Sequence, residues 1–358
     1  MNSIHAFLQH EVMNNKTPSI QYAFFDADST IYSFQYGLRD IKESKMVDAT
    51  TTYNVFSITK TFTAIAVLQL AQAGLVELKA PMQKHLPWFP YGDTITVEQV
   101  LQHTAGIPNP LPLRWSHLAA EHAQFNRDLF FAQVFEKHDR LKSAPGKKFS
   151  YSNLGYVLLG QLIEHISGKT FEAFIKENIL DKARIPRSDL DFVIDPAVHA
   201  KGYQKYWSFT NALLGVLINK QKFMDAREGK WKPFRNFYVN GTPYGGLIGS
   251  AKGLTRYAQV LLDNKNLLLD ETHLKMLFTE SKIAGQPTGM SLSWFTGSLK
   301  GNLYYAHAGG GGGYYVELRV YPELGVGSVV LNNRSGMRDE RMLDKTDVYF
   351  LQYIPGRI

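Results

Sequence analysis

The sequence predicts an α+β fold in which a sheet built from the two ends of the chain carries a helical lobe inserted between them. Three observations predict it. Strand signals concentrate near the N-terminus and again in the last third, whereas Leu75 to about Pro243 reads as helices broken by proline and glycine. A chain of 358 residues, 44% hydrophobic and 20% charged, can bury a large core. No repeat or low-complexity linker divides it, apart from the glycines Gly309 to Gly313. One composite domain over 1–358 is therefore expected, with the sheet part at about 1–75 and 240–358 and the helical part at about 76–239. The site should lie in the cleft between them.

Along the chain, Ile4, Phe7, Leu8 and Val12 recur at helical spacing among polar residues, the pattern of a surface helix. A signal peptide would instead show a continuous apolar stretch after positive residues, and nowhere do eighteen successive apolar residues occur. The expectation is a cytoplasmic protein without a spanning helix, unless a leader has been removed. Ser19 to Phe25 and Thr30 to Tyr36 are rich in aromatic and β-branched residues around Asp26-Ala27-Asp28-Ser29, which predicts a hairpin. The run from Ser57 through Phe62, Ile65, Leu68 and Leu70 predicts a buried helix, with Gly74 placed to end it in a left-handed cap. Thr96 and Gln99 form a capping box for a short helix ending near His103. After the Pro145-Gly146 turn a helix is expected from Gly155 to Ile166, with Gly168 as terminator and Thr170 as the next cap. In the last third Met290, Leu292 and Trp294 alternate as a strand does, Leu303 to Ala306 is a short strand, and Val316, Leu318 and Val320 alternate again. The turn Tyr321 to Gly325 leads into Val326 to Asn332, and a closing helix runs from about Met337 to Tyr353.

Composition excludes several kinds of function. The chain has no cysteine, so disulfides, thiolate nucleophiles and sulfur-ligated metals are ruled out and a nucleophile must be Ser, Thr, Lys or a carboxylate. The net charge of +7 comes from 39 basic against 32 acidic residues spread along the chain, without the basic stripe that nucleic-acid binding needs. A metal site finds no support, because no His-Glu-x-x-His occurs and His117 and His122 have the wrong spacing for one helix face. Gly309 to Gly313 lacks the Gly-Lys-Ser/Thr ending of a phosphate loop, and Ser250, between Gly249 and Gly253, is not a Gly-x-Ser-x-Gly elbow.

The chemistry concentrates at Ser57-Ile58-Thr59-Lys60. A serine hydroxyl attacks poorly unless something takes its proton, and on a helix a lysine three residues on lies on the same face, within reach. Such a pair is ordinarily a solvated surface. Here it opens an apolar run, and Ser57 alone among the serines has lysine three positions later. Two further motifs carry matching groups: Tyr151-Ser152-Asn153 at a loop-to-helix junction, and His307-Ala308-Gly309 entering the glycine run.

In this order the three motifs resemble those of the serine β-lactamase and penicillin-recognising hydrolase family, closest to its class C-like branch of esterases and D-amino-acid peptidases. His103-Thr104-Ala105-Gly106 is similar to that family's His-Thr-Ser-Gly segment, and Tyr244 to Ser250 to its downstream glycine-rich turn. The resemblance spans about Ile20 to Asn333. It implies a β-lactamase/transpeptidase-like fold, an antiparallel sheet flanked by helices plus an all-helical lobe. It also implies a serine hydrolase that forms an acyl-enzyme on Ser57, with Lys60 and Tyr151 handling protons and the N–H groups of Ser57 and Gly310 binding the oxyanion, without a metal or organic cofactor. Either Tyr151 is the general base with Lys60 as electrostatic support, or a neutral Lys60 is the base and Tyr151 relays the proton; both assignments are workable. Asn153 would hold Lys60 or a substrate carbonyl, or else cap the following helix. Gly309 lets backbone approach the substrate. His307 stands where the β-lactamase pattern has Lys-Thr-Gly; a histidine is only partly charged at pH 7, which weakens recognition of a substrate carboxylate. His103 is expected to pack and hydrogen-bond.

The expected substrate is a small-molecule carboxylic ester, with D-amino-acid peptides or β-lactams second; a non-catalytic binding protein that keeps the fold is the alternative of another kind. Trp207 to Ile218 is apolar and is followed by Lys220, Lys222, Arg227, Lys230 and Lys232. A buried helix is the plain reading, and a lid or weak membrane-surface contact through 207–222, favouring acylated substrates, is the other.

Overall fold

The computed structural model describes residues 2–208, 219–263, 265–336 and 341–352. Its spine is an antiparallel sheet of seven strands. The N-terminal part supplies β1 (Ser19–Asp26), β2 (Thr30–Asp40) and the short β3 (Lys45–Met46); the last third supplies β4 (Phe295–Leu299), β5 (Asn302–Gly311), β6 (Tyr314–Tyr321) and β7 (Val326–Asn332). The spatial order is β4-β5-β6-β7-β1-β2-β3. The β1–β2 hairpin turns where expected, with Asp26 Oδ1 accepting from the N–H groups of Asp28 and Ser29 at 2.9 and 2.6 Å. The two ends of the chain meet at the β1–β7 ladder, where Ile20 lies opposite Asn332.

Five helices position the rest: α1 (Asn2–Met13), α2 (Thr59–Gln72), α3 (Asn153–Ser167), α4 (Ala251–Leu262) and α5 (Met342–Leu351). The back of the sheet buries Tyr22, Phe24 and Val330 against Ile4 and Leu8 of α1 and Leu343 of α5. The front packs on a larger core that contains α2, α3 and α4. α2 is buried on every side, from Thr59 through Leu68, as its apolar sequence requires. At roughly 1.5–3 kcal/mol for each large apolar side chain buried, that helix is anchored firmly enough to fix the turn that precedes it. Thr96 and Gln99 form their capping box, and Gly74 and Gly168 take the left-handed φ of +72° and +67° that ends α2 and α3.

The structure corrects several expectations. The inserted segment is not helical throughout: Ser116–Leu118 pairs with Phe237–Val239, and Tyr203–Lys205 with Trp231–Pro233. Met290, Leu292 and Trp294 are buried, yet they form a bend with Ser293 at φ +72°, and the strand starts at Phe295. β5 does not stop at Ala306 but runs on through the glycines to Gly311, because pairing with β6 needs only backbone. The closing helix is seen over Met342–Leu351; 337–340 and 353–358 lie outside the described residues. So does 209–218, the body of the segment read as buried helix or lid; of its flanks, Trp207 is 81% exposed and Lys220–Phe223 forms one short helix. Among the described residues no helix is long and apolar enough to cross a membrane.

Candidate active site

Ser57 sits two residues before α2, in a 3₁₀ turn over Phe56–Ile58. The chain arrives from the short strand Tyr53–Asn54, and Phe56 adopts φ +46°, a left-handed conformation that costs an aromatic residue on the order of 1–3 kcal/mol. Packing holds it there: the Phe56 ring lies 6.3 Å from Phe237 and 6.2 Å from Tyr314. Thr59 locks the turn, its Oγ1 donating to Phe56 O at 2.6 Å and accepting from the N–H of Leu247 at 3.1 Å. Ser57 is partly exposed, and its hydroxyl faces the groups that the sequence singled out.

Lys60 Nζ lies 3.0 Å from Ser57 Oγ and donates to Tyr244 O at 2.7 Å. Its side chain has no exposure to solvent, and the rings of Tyr151, Tyr244 and Tyr156 surround the amine at 5.0, 5.3 and 5.6 Å. Among the described residues no carboxylate forms an ion pair with it. Burial therefore holds the Lys60 ammonium well below the usual lysine pKa. Tyr151 reaches the same oxygen from the other side, its hydroxyl donating to Ser57 Oγ at 3.0 Å, and burial pushes the phenol above its usual range. Burial thus disfavours the charged form of both groups that flank the hydroxyl.

β5 forms the opposite wall. A Cβ on Gly309 would lie 2.2 Å from Val55 O and 3.0 Å from Ser57 N, so only glycine lets this strand press on the Ser57 turn. Pairing with β4 ends at Phe295 opposite Ala306, whereas pairing with β6 continues with Gly310 opposite Tyr315. A cavity of about 350 Å³ runs along this stretch, lined by Gly309, Gly310, Gly311, Tyr314 and Ser335.

His307 is 1% exposed, with Nδ1 2.8 Å from Ala308 O, so that nitrogen carries the proton. Burial first, then the nearby Lys60, pushes its pKa down to about 3. The imidazole is neutral at pH 7 rather than partly charged, and its buried Nε2 has no partner among the described residues. Asn153 is not drawn to Lys60: its N–H and Nδ2 both donate to Asn109 Oδ1, at 3.0 and 3.1 Å. Nor does it cap α3, because Ser152 Oγ accepts from the N–H of Gly155 at 3.1 Å. The carbonyl of Tyr244 takes the role on Lys60 that was expected of Asn153. The Tyr244 to Ser250 motif marked that turn, but a backbone acceptor leaves no signature of residue type.

The sequence model of the Beta-lactamase family matches residues 4–350. Protein flp of Staphylococcus aureus (strain N315) is 24% identical over 343 residues, 92% of this chain and 62% of that protein. The chain thus spans about three-fifths of the length of the curated relatives it matches first. Many solved structures share the fold. The D-amino acid amidase of Ochrobactrum anthropi SV3, complexed with D-phenylalanine, superposes with a TM-score of 0.80 at 18% identity, covering 97% of this chain and 96% of its own. The octameric penicillin-binding protein homologue of Pyrococcus abyssi gives 0.78 at 22% identity, covering 98% and 77%. With the β-lactamase/transpeptidase-like architecture already in place around Ser57, the match across nearly the whole sequence means that this chain belongs to the Beta-lactamase family.

Proposed function

We propose that the protein is a serine hydrolase that cleaves a carboxylic ester or amide through an acyl-enzyme on Ser57. The observation that carries the proposal is the hydroxyl of Ser57 held between Lys60 Nζ and Tyr151 OH, at 3.0 Å from each. Neutral Lys60 is the better base, since burial favours the free amine and keeps Tyr151 protonated as a donor. As Ser57 Oγ attacks the carbonyl carbon, its proton passes to Lys60. The new negative charge on the carbonyl oxygen is met by the N–H groups of Ser57 and Gly310, a reading supported by how closely β5 packs on the Ser57 turn, where a Cβ on Gly309 would lie 3.0 Å from Ser57 N. Tyr151 gives its proton to the leaving oxygen or nitrogen and recovers one from Lys60. Water then attacks the acyl carbon, surrendering its proton by the same route, and releases the acid and the free serine.

Small esters are the first choice of substrate and D-amino-acid amides the second. The neutral His307 supports this order over β-lactams, because it offers no fixed cation to a substrate carboxylate. Fold likeness to a D-amino acid amidase supports the second choice. The test is incubation with p-nitrophenyl acetate, D-alanyl p-nitroanilide and nitrocefin, with mass spectrometry for an adduct on Ser57. Turnover of the ester with a trapped acetyl group on Ser57, lost in Ser57→Ala, is expected. No turnover and no adduct with any of the three would replace the hydrolase by a binding protein.

A further inference from the structure

His103 takes no part in that proton transfer, yet it touches the segment carrying Tyr151 at three points. Its carbonyl accepts from the N–H of Ser150 at 2.7 Å, and its Nδ1 accepts from the N–H of Ser152 at 3.0 Å. Between these two bonds lies Tyr151, and the imidazole packs on the phenol ring with centroids 4.3 Å apart at 33°. Phe295 stacks on the same ring at 6.3 Å and 15°. His103 follows the capped helix Val97–Leu101 in a left-handed conformation, φ +57°, which apart from glycine mainly asparagine, aspartate and histidine adopt. It is 2% exposed. Acceptance at Nδ1 requires the proton on Nε2, the neutral form, and burial, then Lys60 and His307, disfavours charging it.

We infer that His103 is a positioning residue for Tyr151, gripping the backbone on both sides of it and bracing its ring so that the hydroxyl meets Ser57 Oγ. The inference rests on the acyl-enzyme reading above. Positioning matters because a displacement of about 1 Å in a reacting group can cost about 100-fold in rate.

Two substitutions separate the contacts. His103→Asn keeps an amide acceptor and tolerates the left-handed backbone but removes the ring; His103→Phe keeps a ring but removes the acceptor. Each is made in the wild type and in Tyr151→Phe, and p-nitrophenyl acetate turnover and thermal unfolding are measured. Expected is a fall in kcat of about tenfold or more at unchanged KM in the wild-type background, and no further fall in Tyr151→Phe. An equal fall in both backgrounds, or unchanged kcat in a folded variant, overturns the positioning role. If one variant melts below the assay temperature, the other carries the comparison. Ser57→Ala keeps the two claims apart: activity surviving there removes the acyl-enzyme reading, whereas activity lost there but indifferent to His103 removes the positioning role alone.

Discussion

Lys60 would carry a charge in water, but its amine is enclosed by three tyrosine rings with one carbonyl as acceptor. Only the free amine can accept the Ser57 proton, so kcat/KM should rise with pH along an acid limb that lies below the ordinary lysine pKa of about 10.4. Lys60→Arg, a permanent cation, should lower kcat by about 10²- to 10⁴-fold and abolish that limb, measured by ester turnover across pH. Retention of the limb in the Arg variant would transfer the role of base to another group. At Gly309 the constraint is steric. Gly309→Ala drives a methyl group into Val55 O, costing about 1–3 kcal/mol of stability and displacing the Ser57 turn. A folded Gly309→Ala protein that still acylates Ser57 at the wild-type rate would contradict that geometry.

Two pairs of elements hold these residues in register. α3 crosses the Thr242–Gly245 turn at Gly160, where a Cβ would lie 2.1 Å from Pro243 Cγ. That turn is fastened to α2 twice, by Thr63 Oγ1 donating to Pro243 O at 2.6 Å and by Lys60 on Tyr244 O. Gly160→Ala should therefore cost about 1–3 kcal/mol in urea unfolding and also reduce kcat, since the turn moves with the acceptor of Lys60. A stability loss with unchanged kcat would uncouple the two. On the other side of the sheet, α5 is tied to β6 by a buried charge cluster. Arg319 of β6 meets Glu317 and Asp344 at 2.8 Å each and Asp347 at 3.6 Å, while Asp347 also accepts from Tyr321 and Ser328 at 2.8 and 2.9 Å. Burial raises Glu317 and lifts Asp347 to about 6 despite the guanidinium. Arg319→Met leaves Glu317 and Asp347 buried without a cation, and the expected loss is about 3–5 kcal/mol by chemical denaturation. A change below about 1 kcal/mol would mean that the cluster is already neutralised by protons.

Across the whole molecule the sheet is closed by its most distant parts. β1 must wait for β7 before its second edge is paired, a non-local arrangement expected to fold slowly. A fragment of residues 1–300 lacks β5, β6 and β7 and should show no cooperative thermal transition by circular dichroism; a sharp melt would show that the N-terminal part is stable without them. The same closure assembles the site, since Tyr151 reaches Ser57 from 94 positions away and Tyr244 reaches Lys60 from 184.

Wherever the signal is local, the amino-acid order was enough. The β1–β2 hairpin, the Thr96–Gln99 box and the glycines ending α2 and α3 follow from turn and cap chemistry acting over a few residues. The pairing of Ser57 with Lys60 is of this kind too, even though a 3₁₀ turn rather than the helix proper presents the serine. Apolar alternation misplaced the strand at Met290 to Trp294, because a buried bend and a buried strand leave the same pattern. Protonation also lay beyond local reading. Lysine in a surface helix is a cation and histidine near the ordinary pKa is partly one, and it took enclosure by side chains far away in the chain to lower the Lys60 pKa and to leave His307 neutral. Ser57 and Lys60 are thus chosen by sequence, whereas desolvation and the approach of Tyr151, Tyr244 and His103 depend on which surfaces the fold removes from water.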